Sequence, residues 1–282
     1  MRHPSSPRGS LRARSVARWG AVVLFAAVPS LAAYFGTQQG PGSHQAAGPH
    51  QAAGSQLGQG TMTWALANND NGRVLGPIAV VGDSNSVAPW FTPGWVEMAE
   101  RLLGLAPGQI VNTSIPGATA GPHPELPLTK SGPTILDQAL NAGQVLDGLI
   151  FALGTNDISY GHDAAQVKAD LDELIAEVQA YDSEIEVFVA LVPPLVDPVV
   201  NASGLQTEID ALNALIVASM PADRVIDFHA LLSDGLLGTE FTYYNDGIHH
   251  NALASALKAQ AVVEVLSVAY GLPVAMKLEG GK

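Results

Sequence analysis

Four short stretches carry residue types suited to nucleophilic chemistry: Gly-Asp-Ser-Asn at 82–85, NTSIPGATA at 112–120, GTND at 154–157 and NDGIHHN at 245–251. A serine hydroxyl attacks poorly until a base takes its proton, and histidine suits that task near neutral pH. The base in turn needs a carboxylate to hold its tautomer and to stabilise the imidazolium that forms. Ser84, His249 and Asp246, three residues before the histidine, supply these types. His250 is a rival base. Taken singly, each stretch also reads as a turn or a helix cap. Together, and in this order, they exceed what punctuation supplies.

Each stretch has to be held at the end of something. Short apolar runs at 77–81, 110–115, 146–153, 185–192 and 224–228 read as strands buried on both faces. Between them, 94–105, 134–142, 163–181 and 204–220 repeat apolar residues at helical spacing. Asp163 is set to cap one helix. Asn251 opens a last helix that runs to Tyr270 and stops at Gly271 and Pro273. Strands alternating with helices imply a parallel sheet covered on both faces. In such sheets ligands bind beyond the carboxyl ends of the strands, where Ser84, Gly117 and Asn156 fall.

With these blocks in order, residues 77–265 resemble the SGNH hydrolases, also called the GDSL esterase/lipase family. That family takes its name from Ser, Gly, Asn and His in four blocks. Here GDSN supplies Ser84, NTSIPGATA supplies Gly117, GTND supplies Asn156, and DGIH supplies Asp246 and His249. One departure is Asn85, where leucine is commonest. The resemblance implies a three-layer α/β/α sandwich around a central parallel sheet of about five strands, the flavodoxin-like SGNH hydrolase fold. It implies a serine esterase with Ser84 as nucleophile, His249 as base and Asp246 as its orienter. Spacing and family together favour His249 over His250. The main-chain N–H groups of Ser84 and Gly117 and the side-chain amide of Asn156 are the expected oxyanion donors. Asp83 and Asp157 are expected to hydrogen-bond neighbouring loops.

Aromatic residues follow the nucleophile closely. Trp95 reads as helix core, whereas Trp90 and Phe91 either wall the substrate pocket or pack as core or lid. His123 and His162 fall in loops that could rim the site. The loops after the strands are short, polar or rich in small residues and proline. Such loops suit short acyl groups, most simply acetyl esters on a glycan or small molecule. A lipase, a thioesterase or an acyltransferase with the same site are the alternatives. A metal hydrolase using His249, His250, Asp246 and Asp83 is a further one, though no HExxH or His-x-His spacing occurs. A non-catalytic envelope module is the last. No cofactor and no metal are expected.

Charge separates the ends of the chain. Of 13 Lys and Arg residues, five lie in the first 18 positions, while all 26 acidic residues lie from Asp70 onward. The remainder therefore carries a formal charge of −18. A surface so acidic repels phosphate backbones, so no nucleic-acid partner is expected. There are no cysteines, which excludes disulfides and thiol nucleophiles. The basic start followed by an apolar run at 19–35 reads as an export leader or an uncleaved membrane anchor, spanning 1–36. Residues 37–70, with a tandem HQAAG, read as a flexible linker, and 71–282 as the folded domain. The folded domain should be secreted, or anchored outside the cytoplasm in the periplasm or cell envelope. Contact with a membrane is expected only through the N-terminal segment if it is retained.

Overall fold

The computed structural model describes residues 75–87, 93–195, 204–233 and 243–272. All of these lie in the second of two units into which the chain divides, Thr61–Lys282. The leader, the linker, Trp90, Phe91 and Pro273 lie outside the described residues.

Five strands form one sheet, in which every pairing is parallel: β1 (Ile78–Gly82), β2 (Ile110–Asn112), β3 (Gly148–Ala152), β4 (Glu186–Ala190) and β5 (Val225–Ile226). Their order is β2-β1-β3-β4-β5. The strand that leads to Ser84 is therefore flanked by the strands that lead to Gly117 and Asn156. Seven α-helices accompany them among the described residues: α1 (Trp95–Leu102), α2 (Gly132–Leu140), α3 (Thr155–Ser159), α4 (Ala164–Tyr181), α5 (Leu205–Ser219), α6 (Phe228–Ser233) and α7 (Ala252–Tyr270).

Alternation along the strands decides which layer each side chain joins. Ala79, Val81, Leu149 and Phe151 pack in a cluster with Ile135 of α2, Leu171 of α4 and Leu212 of α5. Ile78, Val80, Ile150 and Phe188 turn the other way, toward Trp95 of α1, Phe228 of α6 and Val262 of α7. Burying a side chain of this size contributes about 1.5–3 kcal/mol, so the sheet is held from both faces. This is the three-layer α/β/α sandwich expected from the alternation.

Local signals set the helix ends. Asp163 caps α4 by accepting from the Gln166 N–H at 2.8 Å. Asn251 caps α7 by accepting from Leu253 and Ala254, and Gly271 closes it with a left-handed φ of 62°. By length and composition α7 could cross a membrane. Its Ala254, Ala259, Val262 and Leu266 are instead buried within the described domain. Apart from β1, the strands are shorter than their apolar runs. β2 ends at Asn112 although pairing continues through single bonds, Thr113 N–H to Val80 O and Ile115 N–H to Gly82 O, both 3.0 Å. The run expected as a strand over 224–228 keeps only two strand residues, because Phe228 already opens α6.

Candidate active site

At the end of β1, a side chain on the last residue would displace the serines around it. A Cβ on Gly82 would stand 2.6 Å from Ser86 Oγ and 2.8 Å from Ser114 Oγ. Asp83 then accepts from the Asn85 N–H at 2.8 Å, and the Ser86 N–H returns to the Asp83 carbonyl at 3.0 Å. Ser84 sits half-buried at the tip. Among the described residues, its main-chain N–H has no acceptor.

Hydrogen bonds tie the four blocks to one another at the carboxyl edge of the sheet. Asn156, on the first turn of α3, donates from its side chain to the Ala118 carbonyl at 2.9 Å. The amide carries a second hydrogen that this bond does not use. Gly117, one residue before Ala118, adopts a φ of 78°, which a side chain would resist. Its N–H also has no acceptor among the described residues. Asn85 reaches across to the last block, accepting from the His250 N–H at 3.2 Å. The departure from leucine at this position thus makes a polar link between the serine turn and the histidine turn.

In that last turn, His249 Nδ1 lies 2.6 Å from Asp246 Oδ2. Asp246 Oδ1 accepts from the main-chain N–H groups of His249 at 2.7 Å and Ile248 at 3.0 Å. Burial opposes ionisation of Asp246, but the hydrogen bonds from His249 and Ile248 outweigh it and bring the carboxyl down to about 2. The same bond to Asp246 raises His249 above its usual 6.5 against the opposing desolvation, with the charges of Asp246 and Asp83 adding to it. An ionised Asp246 fixes the ring with its proton on Nδ1, which leaves Nε2 as the basic nitrogen.

His250 turns inward. It is buried, with Nδ1 3.3 Å from Lys258 Nζ, and burial drives it well below 6.5, helped by the charges of Lys258 and His249. Lys258 is the residue the sequence reading missed. It is 1% exposed, donates to the Asn85 carbonyl at 2.9 Å, and stacks its ammonium 4.6 Å over the Phe228 ring and 5.5 Å over Trp95. Burial lowers Lys258, and the charge of buried Asp83 partly restores it. For Asp83, burial raises the carboxyl while the Asn85 N–H and Lys258 pull the other way. Lysine at a position of helical periodicity reads as a solvated face. Only the long-range partners reveal its burial.

We expect Lys258→Met to lower stability by about 1–3 kcal/mol, because the Asn85 carbonyl loses its buried donor. Urea unfolding of the variant checks this, and a midpoint equal to that of the wild type would show the ammonium to be dispensable.

Asp157 accepts from the Ala120 N–H at 2.8 Å, so both acidic residues of the GDSN and GTND stretches bind main chain. Burial raises the Asp157 carboxyl to about 7. Trp95 is buried against Phe228, with ring centroids 5.5 Å apart. A cleft of about 250 Å³, counted to its open mouth, lies among Asp83, Asn85, Thr155, Leu191, Phe228 and Lys258. Ser84 and His249 are not among its lining residues. Among the described residues, no three of His249, His250, Asp246 and Asp83 bring ligand atoms within 4.8 Å of one another. The described group close enough to share an ion is Asp157, His162 and Asp170.

The family model for the GDSL-like lipase/acylhydrolase family matches residues 80–257. No curated protein matches the sequence. Among solved structures, the chain is similar to a carbohydrate acetylesterase from Sinorhizobium meliloti at 18% identity and a TM-score of 0.55, covering 69% of this chain and 99% of that one. It is similar to a member of the lipolytic G-D-S-L family from Veillonella parvula at 20% identity and 0.52, covering 68% and 98%. The aryl esterase of M. smegmatis is similar at 18% identity and 0.52, covering 68% and 99%. At these identities the likeness is one of fold.

Proposed function

The chain belongs to the GDSL-like lipase/acylhydrolase family and is a carboxylic ester hydrolase, and on that premise we propose that Ser84 is its nucleophile, with His249 as base and Asp246 as orienter. The observation that carries this reading is the 2.6 Å pairing of His249 Nδ1 with Asp246, in a turn bonded to the serine turn through Asn85.

His249 Nε2 takes the proton as Ser84 Oγ attacks the ester carbonyl, and a tetrahedral oxyanion forms. The N–H groups of Ser84 and Gly117 and the amide of Asn156 are the donors that stabilise it. Collapse expels the alcohol, which takes the proton from His249 and leaves an acyl-serine. Water repeats the sequence and releases the acid.

Asn156→Ala should lower kcat by roughly 10²–10³ with little change in KM, because this donor matters once charge develops on the oxygen. Steady-state kinetics check this. A rise in KM alone would make Asn156 a substrate-binding or structural residue.

The acid limb of kcat/KM should have its midpoint above 6.5, since His249 must be unprotonated to act and its folded-state value is raised. Asp246→Asn removes the main cause of that rise, so the midpoint should move to lower pH as the rate falls. A pH–rate profile in which the variant keeps the wild-type midpoint would assign the limb to another group.

The substrate we assign is a short-acyl ester, acetyl above all, on a glycan or small molecule. Each buried methylene is worth about 0.8 kcal/mol, so a long acyl chain gains only if a long apolar groove receives it. The acetylesterase similar in fold acts on a carbohydrate, so this architecture accommodates such chemistry. Trp90 and Phe91, which follow Ser84 closely in sequence, are the proposed substrate-binding residues. The domain is assigned to the outside of the cytoplasm on the strength of the Arg-rich start and the apolar run at 19–35. A panel of p-nitrophenyl esters from acetate to palmitate tests the substrate class. Values of kcat/KM that fall with acyl length support it, and a steady rise to palmitate would replace it with a lipase or thioesterase.

A further inference from the structure

The GTND turn carries a second cluster that the acyl chemistry does not use. Asp157 follows Asn156 on α3, His162 lies in the turn between α3 and α4, and Asp170 lies two turns into α4. One ligand atom from each residue lies within 4.8 Å of the other two. Hydrogen bonds leave His162 Nδ1 and one oxygen of each carboxylate over. Asp157 Oδ1 accepts from the Ala120 N–H and Asp170 Oδ1 from the Gln166 side chain, both at 2.8 Å. Asp157 Oδ2 and His162 Nδ1 are buried without a partner, and Asp157 itself is fully buried. His162 Nδ1 stands 4.0 Å from Asp170 Oδ2, too far for a hydrogen bond. Gly121 borders the cluster: a Cβ there would stand 2.3 Å from Asp170 Oδ2. Glycine there leaves the Asp170 carboxylate in place.

We propose that Asp157 Oδ2, His162 Nδ1 and Asp170 Oδ2 bind one divalent transition cation of the zinc or manganese class. Two carboxylate oxygens with one imidazole nitrogen suit these ions better than calcium or magnesium, which favour oxygen alone. Bonds of about 2.0–2.2 Å in a tetrahedral site put ligand atoms roughly 3.3–3.6 Å apart, so the cluster needs to contract by up to about 1.5 Å. The Ala120 N–H and the Gln166 amide hold the far carboxylate oxygens, the support that metal ligands receive from their outer neighbours. Among the described residues no lysine or arginine pairs with either carboxylate. The ion joins α3 to α4 one residue from Asn156. Its role is to hold the turn, and no reaction step passes through it.

The test uses the full chain, treated with chelator, dialysed and titrated with zinc chloride by calorimetry, with thermal unfolding as a second readout. One equivalent should bind and raise the unfolding temperature, since a ligand that binds the folded state stabilises it. His162→Ala and Asp170→Asn, both at partly exposed positions, should fold and weaken binding more than about 100-fold. Absence of binding would overturn the proposal. So would binding unchanged in both variants, which would assign the ion elsewhere, such as the histidines of the HQAAG repeats. Calcium or magnesium binding as tightly as zinc would overturn the transition-metal assignment.

Discussion

Ser84→Ala is expected to cut kcat on p-nitrophenyl acetate by about 10⁴–10⁶-fold, down to what binding and the oxyanion donors provide alone. The effect should be confined to chemistry. Ser84 Oγ supports no described hydrogen bond in the turn, and the neighbouring contacts run through Asp83, Asn85 and Ser86. The unfolding temperature of the variant should therefore stay close to wild type. Loss of activity together with early unfolding would mean that the hydroxyl is structural. Full activity would remove Ser84 from the mechanism.

His249→Ala should be nearly as damaging, by about 10⁴–10⁶-fold in kcat, because a nucleophile and its base act as a unit. His250→Ala is the informative contrast. His250 is buried and faces Lys258, so its loss should cost stability by about 1–3 kcal/mol while leaving the residual folded enzyme active. Kinetics and urea unfolding of the two variants side by side separate the roles. If His250→Ala abolished turnover and His249→Ala did not, the assignment of the base would be reversed.

The sheet was legible because its strands are short apolar runs, and because Ser84, Gly117 and Asn156 fall where parallel strands end. Helix caps at Asp163 and Asn251 and the stop at Gly271 were legible too, since each acts through its nearest neighbours. What stayed hidden depends on distant partners. Lys258 reads as a surface lysine until Asn85, His250 and the rings of Phe228 and Trp95 close around it. The helix Thr155–Ser159 is a single turn and a half, too short to show a period. His162 reads as a loop histidine because nothing in sequence places Asp157 and Asp170 against it. Asn85 is a departure whose purpose, the bond to the His250 N–H, spans 165 residues.

The most direct test of the account is covalent. The purified chain is treated with a fluorophosphonate, digested, and the modified residue located by mass spectrometry, with Ser84→Ala in parallel. The account predicts a single adduct on Ser84, formed faster as His249 loses its proton and absent from the variant. An adduct on another serine, or labelling that persists in Ser84→Ala, would contradict it.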